Sequence, residues 1–484
     1  MLLKDKIKDD EGLAYVADEL ELMSSAGRQA LMGQPWLNDG EALEQEWERV
    51  ARMARAMARA DLAKPLADLR HQLMELQDIC GTLRRLRSGS AIDEMELFEV
   101  KQLAFHATKA RHAAQAMDVN DTLQLPDMTA VFDLLDPDGS GVPSFYIYDS
   151  YHPQLAPLRK ELEAAQAALA RLEALGEARM GDEQRQEAER LRARVSDLLL
   201  QQDALQDEVM LRLSAQLHEQ ADALTLAHER MAQADVMQAK AMQAITWGLA
   251  RPALSHDGAT RLTQAAYPRL KRHNESQGLR YQPVDIAVHP GTCLVTGANM
   301  AGKTMLLKTV ACAQGMAQLG MFVPAQEAHI SPVDDVVLCI GDQQNEMNGL
   351  SSFASEIIRI SDTLARSATH RLMILVDEPA RTTNPVEGKA IVHAIGAMLN
   401  QRPSLSLLTT HYSGLGLSCR RLRVRGFVES LSHEPLSPAT INRFMDYSLL
   451  PDDSDDVPQE ALRIAEMLGC DPEMIRLARQ ALGE

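Results

Sequence analysis

Apolar positions from about Gly12 to Met117 recur at steps of three and four, as in the stretch Leu43 to Leu73. This spacing predicts successive amphipathic helices, broken near Pro35, Pro65 and the Ser88-Gly89-Ser90 tripeptide. The pattern changes at Val131–Tyr151, VFDLLDPDGSGVPSFYIYDSY, where a Gly/Pro turn precedes a Ser144–Asp149 run with strand character, so a β-ribbon or hairpin is expected there. From Leu155 the helical period returns through Leu158, Leu162, Ala165, Leu169 and Leu172. After the Gly176–Gly181 interruption it continues through Leu191, Val195, Leu198, Leu205 and Val209, which predicts a helical hairpin packed as an antiparallel coiled coil. Its second arm is expected to run on through Asp235 and re-enter the body near Trp247. Short, mainly apolar runs appear further on, at Thr292–Thr296, Leu372–Val376 and Leu405–Leu408, and these read as buried strands.

At roughly 150 residues per domain, 484 residues suggest about three domains and a sizeable core. The chain has 8 Phe, 8 Tyr and 3 Trp against 24 Met, and its long Ala, Leu, Glu, Gln and Arg stretches make the bulk helical. The formal charge of -19 gives no overall basic footprint for nucleic acid or an anionic membrane. Between Leu155 and Met210 there are 8 basic and 12 acidic residues, so the arm reads as a solvated lever rather than a DNA-touching one. Six cysteines are scattered without a CxxC pair or a His at metal-ligand spacing, which points to reduced thiols and a cytoplasmic location, and argues against a structural zinc site. Nowhere do 18 apolar residues run together, and the charged N-terminus lacks the apolar core of a secretory signal, so no membrane association is expected. Asp136, Asp138, Ser140 and Gly141 imitate a calcium loop, but its twelfth position is Ile147 where a bidentate Glu is required, so a turn is expected.

The chemistry is concentrated after Thr292. The TCLVT strand runs into Gly297, Ala298, Asn299, Met300, Ala301, Gly302, Lys303 and Thr304, and then into an apolar helix. This is the strand–turn–helix setting of a phosphate loop: glycines admit backbone N–H groups to phosphate oxygens, Lys303 places a charge on the β and γ phosphates, and Thr304 ligates magnesium. The strand Leu372–Val376 ends in Asp377, a second magnesium ligand, and Glu378, which polarises the attacking water. Leu405–Leu408 delivers Thr409, Thr410 and His411, whose imidazole is placed to meet the γ phosphate or that water. Between them Gly349, Ser351 and Ser352 precede a helix from Glu356 to Ala365, a further anion-binding terminus. The cofactors expected are ATP and Mg2+, and the catalytic set is Lys303, Glu378 and His411.

Taken together, TGANMAGKT (296–304), MFVPAQEAHI (321–330), GLSSFASE (349–356), LVDEPARTTNPVEG (375–388) and TTHY (409–412) resemble successive segments of the MutS family of ABC-type ATPases. More weakly, residues 461–482 resemble the helical tail of that family's ATPase domain, and the helices before Met117 its core lever. The resemblance implies an α/β ABC-type P-loop ATPase domain preceded by an all-α lever/core domain with an antiparallel coiled-coil arm. The implied divisions are 1–153 (helical core with a ribbon near 131–151), 154–250 (arm and return helix), 251–450 (ATPase domain) and 451–484 (tail). It further implies a homodimer or heterodimer through the ATPase domains, in which Ser351 contacts the γ phosphate bound by the opposite subunit and Thr382–Gly388 crosses the interface. Tyr267 stands where the family has a ring near the adenine, either stacking on the base or packing in the core.

The sequence departs from mismatch-repair members in two respects. The two domains ahead of the core, one bearing a Phe-x-Glu wedge, are not found, and Phe427-Val428-Glu429 matches that string only after the ATP motifs. The arm also has no evident β-rich clamp. Among shortened relatives the chain is similar to an ATPase subunit associated with reactivation of adenosylcobalamin-dependent lysine aminomutase, in its 377–388 segment and its 136–151 segment. A protein client is therefore expected, with DNA binding in mismatch repair or recombination as the disfavoured alternative. A nucleotide-sensing scaffold without turnover is least favoured, because Glu378 and His411 are both present.

Overall fold

A computed structural model describes the chain except for residues 175–179, 299–300, 341–351, 429–440, 455–461, 463–464, 467–468 and 483–484. Among the described residues, contacts gather the chain into two compact units. One comprises Met1–Glu21, Met32–Ala54 and Ala239–Glu484; the other comprises Leu22–Leu31 and Arg55–Gln238. These units cut across the serial division expected from the sequence, because N-terminal segments belong to the unit that holds the sheets.

That first unit is mixed α/β. Its strands are Ala253–Leu254 (β1), Thr260–Ala265 (β2), Val284–Val288 (β3), Gly291–Thr296 (β4), Glu327–Ile330 (β5), Asp335–Cys339 (β6), Leu372–Val376 (β7), Leu405–Thr409 (β8), Arg420–Phe427 (β9) and Met445–Pro451 (β10). They form a four-stranded sheet ordered β1-β5-β2-β3 and a six-stranded sheet ordered β10-β9-β4-β8-β7-β6. In the larger sheet β9, β4, β8, β7 and β6 run parallel and β10 closes one edge antiparallel to β9. β4, β7 and β8 are buried at every residue, which is why they are mainly apolar rather than alternating, with Thr292, Thr296, Ser406 and Thr409 buried among them. Leu294, Ile374, Val376, Leu408, Val392 and Leu399 share one core on this sheet.

The helix Lys303–Gln318 lies against the sheet with all but three of its residues buried, so its polar side chains need partners inside. Gln314 donates to Gln318 Oε1 at 2.7 Å and to the Ser331 carbonyl at 3.0 Å, and accepts from Thr260 Oγ1 at 2.9 Å. Gln318 donates to the carbonyls of Leu37 and Val333, each at 2.7 Å. Two tryptophans from N-terminal segments add to this scaffold: Trp47 Nε1 donates to the Ala317 carbonyl and Trp36 Nε1 to the Val333 carbonyl, both at 2.9 Å.

The second unit is helical among its described residues. Glu94–Ala116 begins with a capping box, in which Asp93 accepts from the Glu96 N–H at 2.9 Å and Glu96 accepts from the Asp93 N–H at 3.0 Å. Leu155–Glu173 and Asp182–His218 pack together as a hairpin, with the ion pairs Arg192–Glu173 at 2.8 Å and Arg194–Glu161 at 2.5 Å. Leu155, Leu162, Leu198 and Val209 of the expected stripe are buried and its other members are half-buried. The second arm does not continue unbroken to Trp247: it stops at His218 and a new helix runs Ala221–Trp247. The interruption contains neither Gly nor Pro, so apolar periodicity passes straight through it.

The ribbon expected at 131–151 is replaced by a helix at Thr129–Leu134, an extended loop and a single 3-10 turn at Asp149–Tyr151, with no strand. Lys101, fully buried in the helix Glu94–Ala116, reorganises this segment. Its ammonium donates to Asp136 Oδ1 at 3.0 Å, the Ser144 carbonyl at 2.9 Å and Tyr148 Oη at 3.0 Å. The Phe132 and Tyr148 rings stand 5.3 and 5.2 Å from the same nitrogen. Asp136 also accepts from Ser140 Oγ at 2.5 Å and from the Gly141 N–H at 2.8 Å, so the calcium-like residues close a turn around a lysine.

Burial alone would push the Asp136 carboxyl up, but the bonds from Ser140, Gly141 and Lys101 outweigh it and hold its pKa down to about 2. An unfolded Asp titrates near 3.9, so this carboxylate stabilises the fold above about pH 4, and the contribution is lost as pH falls from about 4 towards 2. Lys101→Met leaves that carboxylate buried without its cation and is expected to cost about 3–5 kcal/mol in urea unfolding at neutral pH. A loss below about 1 kcal/mol would show that the pair does not organise this loop.

Candidate nucleotide site

Because β4, β8 and β7 are adjacent and parallel, their C-terminal ends lie along one edge of the sheet, and the residues that follow them are brought together there. After β4 the chain turns through Gly297, at φ 152°, and Gly302, at φ 79°, before the helix begins at Lys303. Gly302 has a second reason to be glycine, since a Cβ there would lie 2.9 Å from the Tyr447 ring on β10. Ala298 and Ala301 are buried; Asn299 and Met300 lie outside the described residues.

Lys303 is almost fully buried, and its ammonium donates to the carbonyls of Gly297 at 2.8 Å and Ala298 at 3.2 Å. The same nitrogen pairs with Glu378 Oε1 at 3.1 Å. Thr304 Oγ1 donates to Asp377 Oδ2 at 2.5 Å, and Thr409 Oγ1 donates to Asp377 Oδ1 at 2.7 Å. Thr409 also accepts from the Glu378 N–H at 2.8 Å, while the Asp377 N–H donates to the Cys339 carbonyl at 2.9 Å. Both carboxylate oxygens of Asp377 are therefore oriented, each with a further lone pair. With the Thr304 hydroxyl beside them, this is a hard oxygen donor set of the kind that suits Mg2+.

Backbone strain marks the same turn: Glu378 and Ala380 hold φ of 45° and 60°, in the left-handed region that non-glycine residues rarely enter. The Thr409 bond to the Glu378 N–H and the bond from Tyr412 Oη to the Ala380 carbonyl at 3.1 Å hold that conformation. Tyr412 packs so closely on Gly388 that a Cβ there would lie 2.2 Å from its hydroxyl. Thr382–Asn384 lead into the helix Pro385–Asn400, which Asn384 caps by accepting from the Val386 N–H at 2.9 Å.

His411 follows a turn set by the Thr410 N–H donating to the Val295 carbonyl at 3.1 Å and by Thr410 Oγ1 accepting from the Tyr412 N–H at 3.0 Å. Desolvation lowers the imidazole pKa first, Lys303 and Arg381 lower it further, and Glu378 opposes them. Its pKa therefore lies below the usual imidazole value, and the ring feels the same charges as the Lys303–Glu378 pair. The helix expected from Glu356 to Ala365 spans Ser352–Arg366, so Ser352 forms its start, while Gly349 and Ser351 lie outside the described residues.

Tyr267 is only 4% exposed, and its ring packs where a Cβ on Gly12 would come within 2.8 Å. It also borders a cavity of about 650 Å3 that reaches Met305 and Lys308, one turn beyond Thr304. Sequence reasoning missed the double role of Thr409 and the approach of Tyr447 to Gly302. The threonine's position at the end of β8 was a usable signal; Tyr447 left none.

Residues 293–482 match the family model described as MutS domain V, a span that includes most of the C-terminal tail. Over 295 residues the chain is 31% identical to "DNA mismatch repair protein MutS" of Chloroflexus aurantiacus, covering 60% of this chain and 30% of that protein. It is 32% identical over 215 residues to the protein of the same name from Thermus aquaticus, covering 44% and 26%. It is 33% identical over 212 residues to "Endonuclease MutS2" of Shouchella clausii, covering 43% and 26%. The matched region spans less than a third of each of these relatives, so the likeness is to their MutS domain V region. No helix among the described residues is long and apolar enough to cross a membrane.

Thr409→Val keeps the shape of the β8 end but removes both bonds made by Thr409 Oγ1. It is expected to lower unfolding free energy by about 1–3 kcal/mol, measured in urea, because the Asp377 and Glu378 groups lose partners in a largely buried site. Unchanged stability would mean that solvent replaces the threonine and that Asp377 is not held by it.

Proposed function

We propose that this MutS-related chain binds ATP with magnesium on the 297–304 loop, hydrolyses it, and closes with a second ATPase domain, its own copy or a related subunit, around the nucleotide. The observation that carries the reading is the grip of Thr304 and Thr409 on Asp377, with Lys303 and Glu378 3.1 Å apart beside it. Thr304 and Asp377 would hold magnesium, which when bound would supply neutralisation of phosphate charge. Backbone N–H groups of Gly297, Ala298, Asn299, Met300, Ala301 and Gly302 would cradle those oxygens, at the positive end of the following helix. Lys303 would exchange the loop carbonyls and Glu378 for phosphate. The carboxylate released from that ion pair would orient water for attack on the γ phosphorus and accept its proton as the bond to the β-phosphate oxygen breaks. His411, facing the same charges, would hold the water or the departing phosphate. Ser351 would meet the nucleotide of the opposite subunit.

For the downstream partner, two readings are supported by different observations. A formal charge of -19, together with acidic or carbonyl partners for three of the four arginines of β9, favours a protein client remodelled by nucleotide-driven closure through the helical unit. Its finer form, reactivation of an adenosylcobalamin-dependent aminomutase, is supported by the resemblance of the 136–151 and 377–388 segments. The names of the relatives, which describe DNA mismatch repair and an endonuclease, favour the second reading, a DNA-binding MutS homologue.

Steady magnesium-dependent phosphate release is expected from the intact chain, reduced at least about 100-fold by Glu378→Gln with nucleotide binding retained. Lys303→Ala is expected to weaken nucleotide binding at least about ten-fold, roughly 1.4 kcal/mol. Turnover that survives Glu378→Gln refutes the assigned base. Ser351→Arg should bind nucleotide yet fail to form the ATP-dependent dimer on light scattering; normal closure refutes the contact in trans. Low-salt gel shifts on duplex, mismatched and branched DNA separate the partners: a retarded complex that salt dissolves steeply supports the DNA reading, while no shift together with an ATP-dependent protein partner supports remodelling.

A further inference from the structure

Asp78, Cys80 and His228, all in the helical unit, are not used by the nucleotide chemistry. Asp78 and Cys80 flank the start of the helix Cys80–Arg87, and His228 comes from the helix Ala221–Trp247, yet their ligand atoms all lie within 4.8 Å of one another. Carboxylate, thiol and imidazole form a mixed donor set rather than an acidic cluster.

Each donor is supported by its surroundings. His228 is buried, and its Nε2 lies 3.0 Å from the Gln77 carbonyl. A neutral ring donates there, which leaves the lone pair on Nδ1; metal-binding imidazoles commonly have such a backing carbonyl. Asp78 Oδ2 accepts from Gln29 Nε2 at 2.9 Å, and its Oδ1 accepts from the Cys80 N–H at 3.1 Å. Each of those oxygens retains a lone pair for a cation. Asp78 and Cys80 are exposed, and the Cys80 side chain already reaches the Asp78 carboxylate. Bonds of about 2.0–2.3 Å in a tetrahedral site set donors roughly 3.5 Å apart, so closure requires shifts of only about 1 Å.

From this juxtaposition we infer that Asp78, Cys80 and His228 form a zinc-class site that ties the start of the helix Cys80–Arg87 to the helix Ala221–Trp247. Thiolate and imidazole together select a borderline-soft ion over magnesium or calcium, and three protein donors leave the fourth position to water or a further ligand. On binding, the Cys80 S–H bond breaks, its proton leaves to solvent and the sulfur lone pair forms the bond to the metal, with no change of oxidation state.

The full-length protein, dialysed against chelator, is titrated with Co2+ and then Zn2+. One equivalent of Co2+ should produce a thiolate-to-metal charge-transfer band in the near ultraviolet, and Zn2+ should abolish it. Zn2+ should also protect Cys80 from alkylation, read by peptide mass spectrometry, while the exposed Cys470 stays reactive. Cys80→Ser should remove the band, and Asp78→Asn, at an exposed position that a folded protein tolerates, should weaken Co2+ binding at least about ten-fold. Absence of the band, its persistence in Cys80→Ser, unchanged affinity in Asp78→Asn, or equal alkylation with and without Zn2+ overturns the assignment.

Discussion

A carboxylate at a largely enclosed sheet edge must be held by donors, and the candidate site is organised around meeting that requirement for Asp377. Thr304 and Thr409 each give it a hydroxyl, from the helix after β4 and from the end of β8. These bonds can form only if β4, β8 and β7 are adjacent, parallel and in register, so the site depends on the order of the central strands. The left-handed backbone at Glu378 and Ala380 is the local cost of turning sharply after Asp377, and Thr409 and Tyr412 meet it with hydrogen bonds.

The same rule about buried charge accounts for the helical unit's least expected feature. Lys101 lies where a helix–helix core would favour an apolar side chain, and an isolated ammonium there would be strongly destabilising. The chain satisfies it with Asp136, the Ser144 carbonyl and Tyr148, which holds the 136–148 segment as a loop. A stretch rich in aromatics and β-formers therefore builds no strand, since tertiary partners for its polar groups outweigh local propensity. The phosphate-loop helix uses glutamines in the same way, with Gln314 and Gln318 joining its buried face to segments on either side.

Much of the architecture was legible in the primary sequence wherever a period or a short motif carried it. Short, mainly apolar runs marked β4, β7 and β8; three-and-four spacing marked the hairpin helices; and the glycine, lysine and threonine order marked the turn from β4 into its helix. Legibility failed where the deciding contact was remote. The arm breaks at His218 with no Gly or Pro to announce it, and Trp36 and Trp47 bond to carbonyls in a unit from which the reading had separated them. Among the cysteines, spacing gave no hint that Cys80 would meet a histidine from the helix Ala221–Trp247.

The sequence by itself determined most of the helices and the central buried strands, and it singled out the residues that follow those strands, because hydrophobic period and motif spacing act over a few residues. Only the tertiary structure decided that Thr409 joins Thr304 on Asp377, that Lys101 turns an expected ribbon into a loop, and that Asp78, Cys80 and His228 converge. Those outcomes depend on polar groups from distant segments that must find partners once water is excluded, and the identity of each partner is set by how strands and helices are ordered in space.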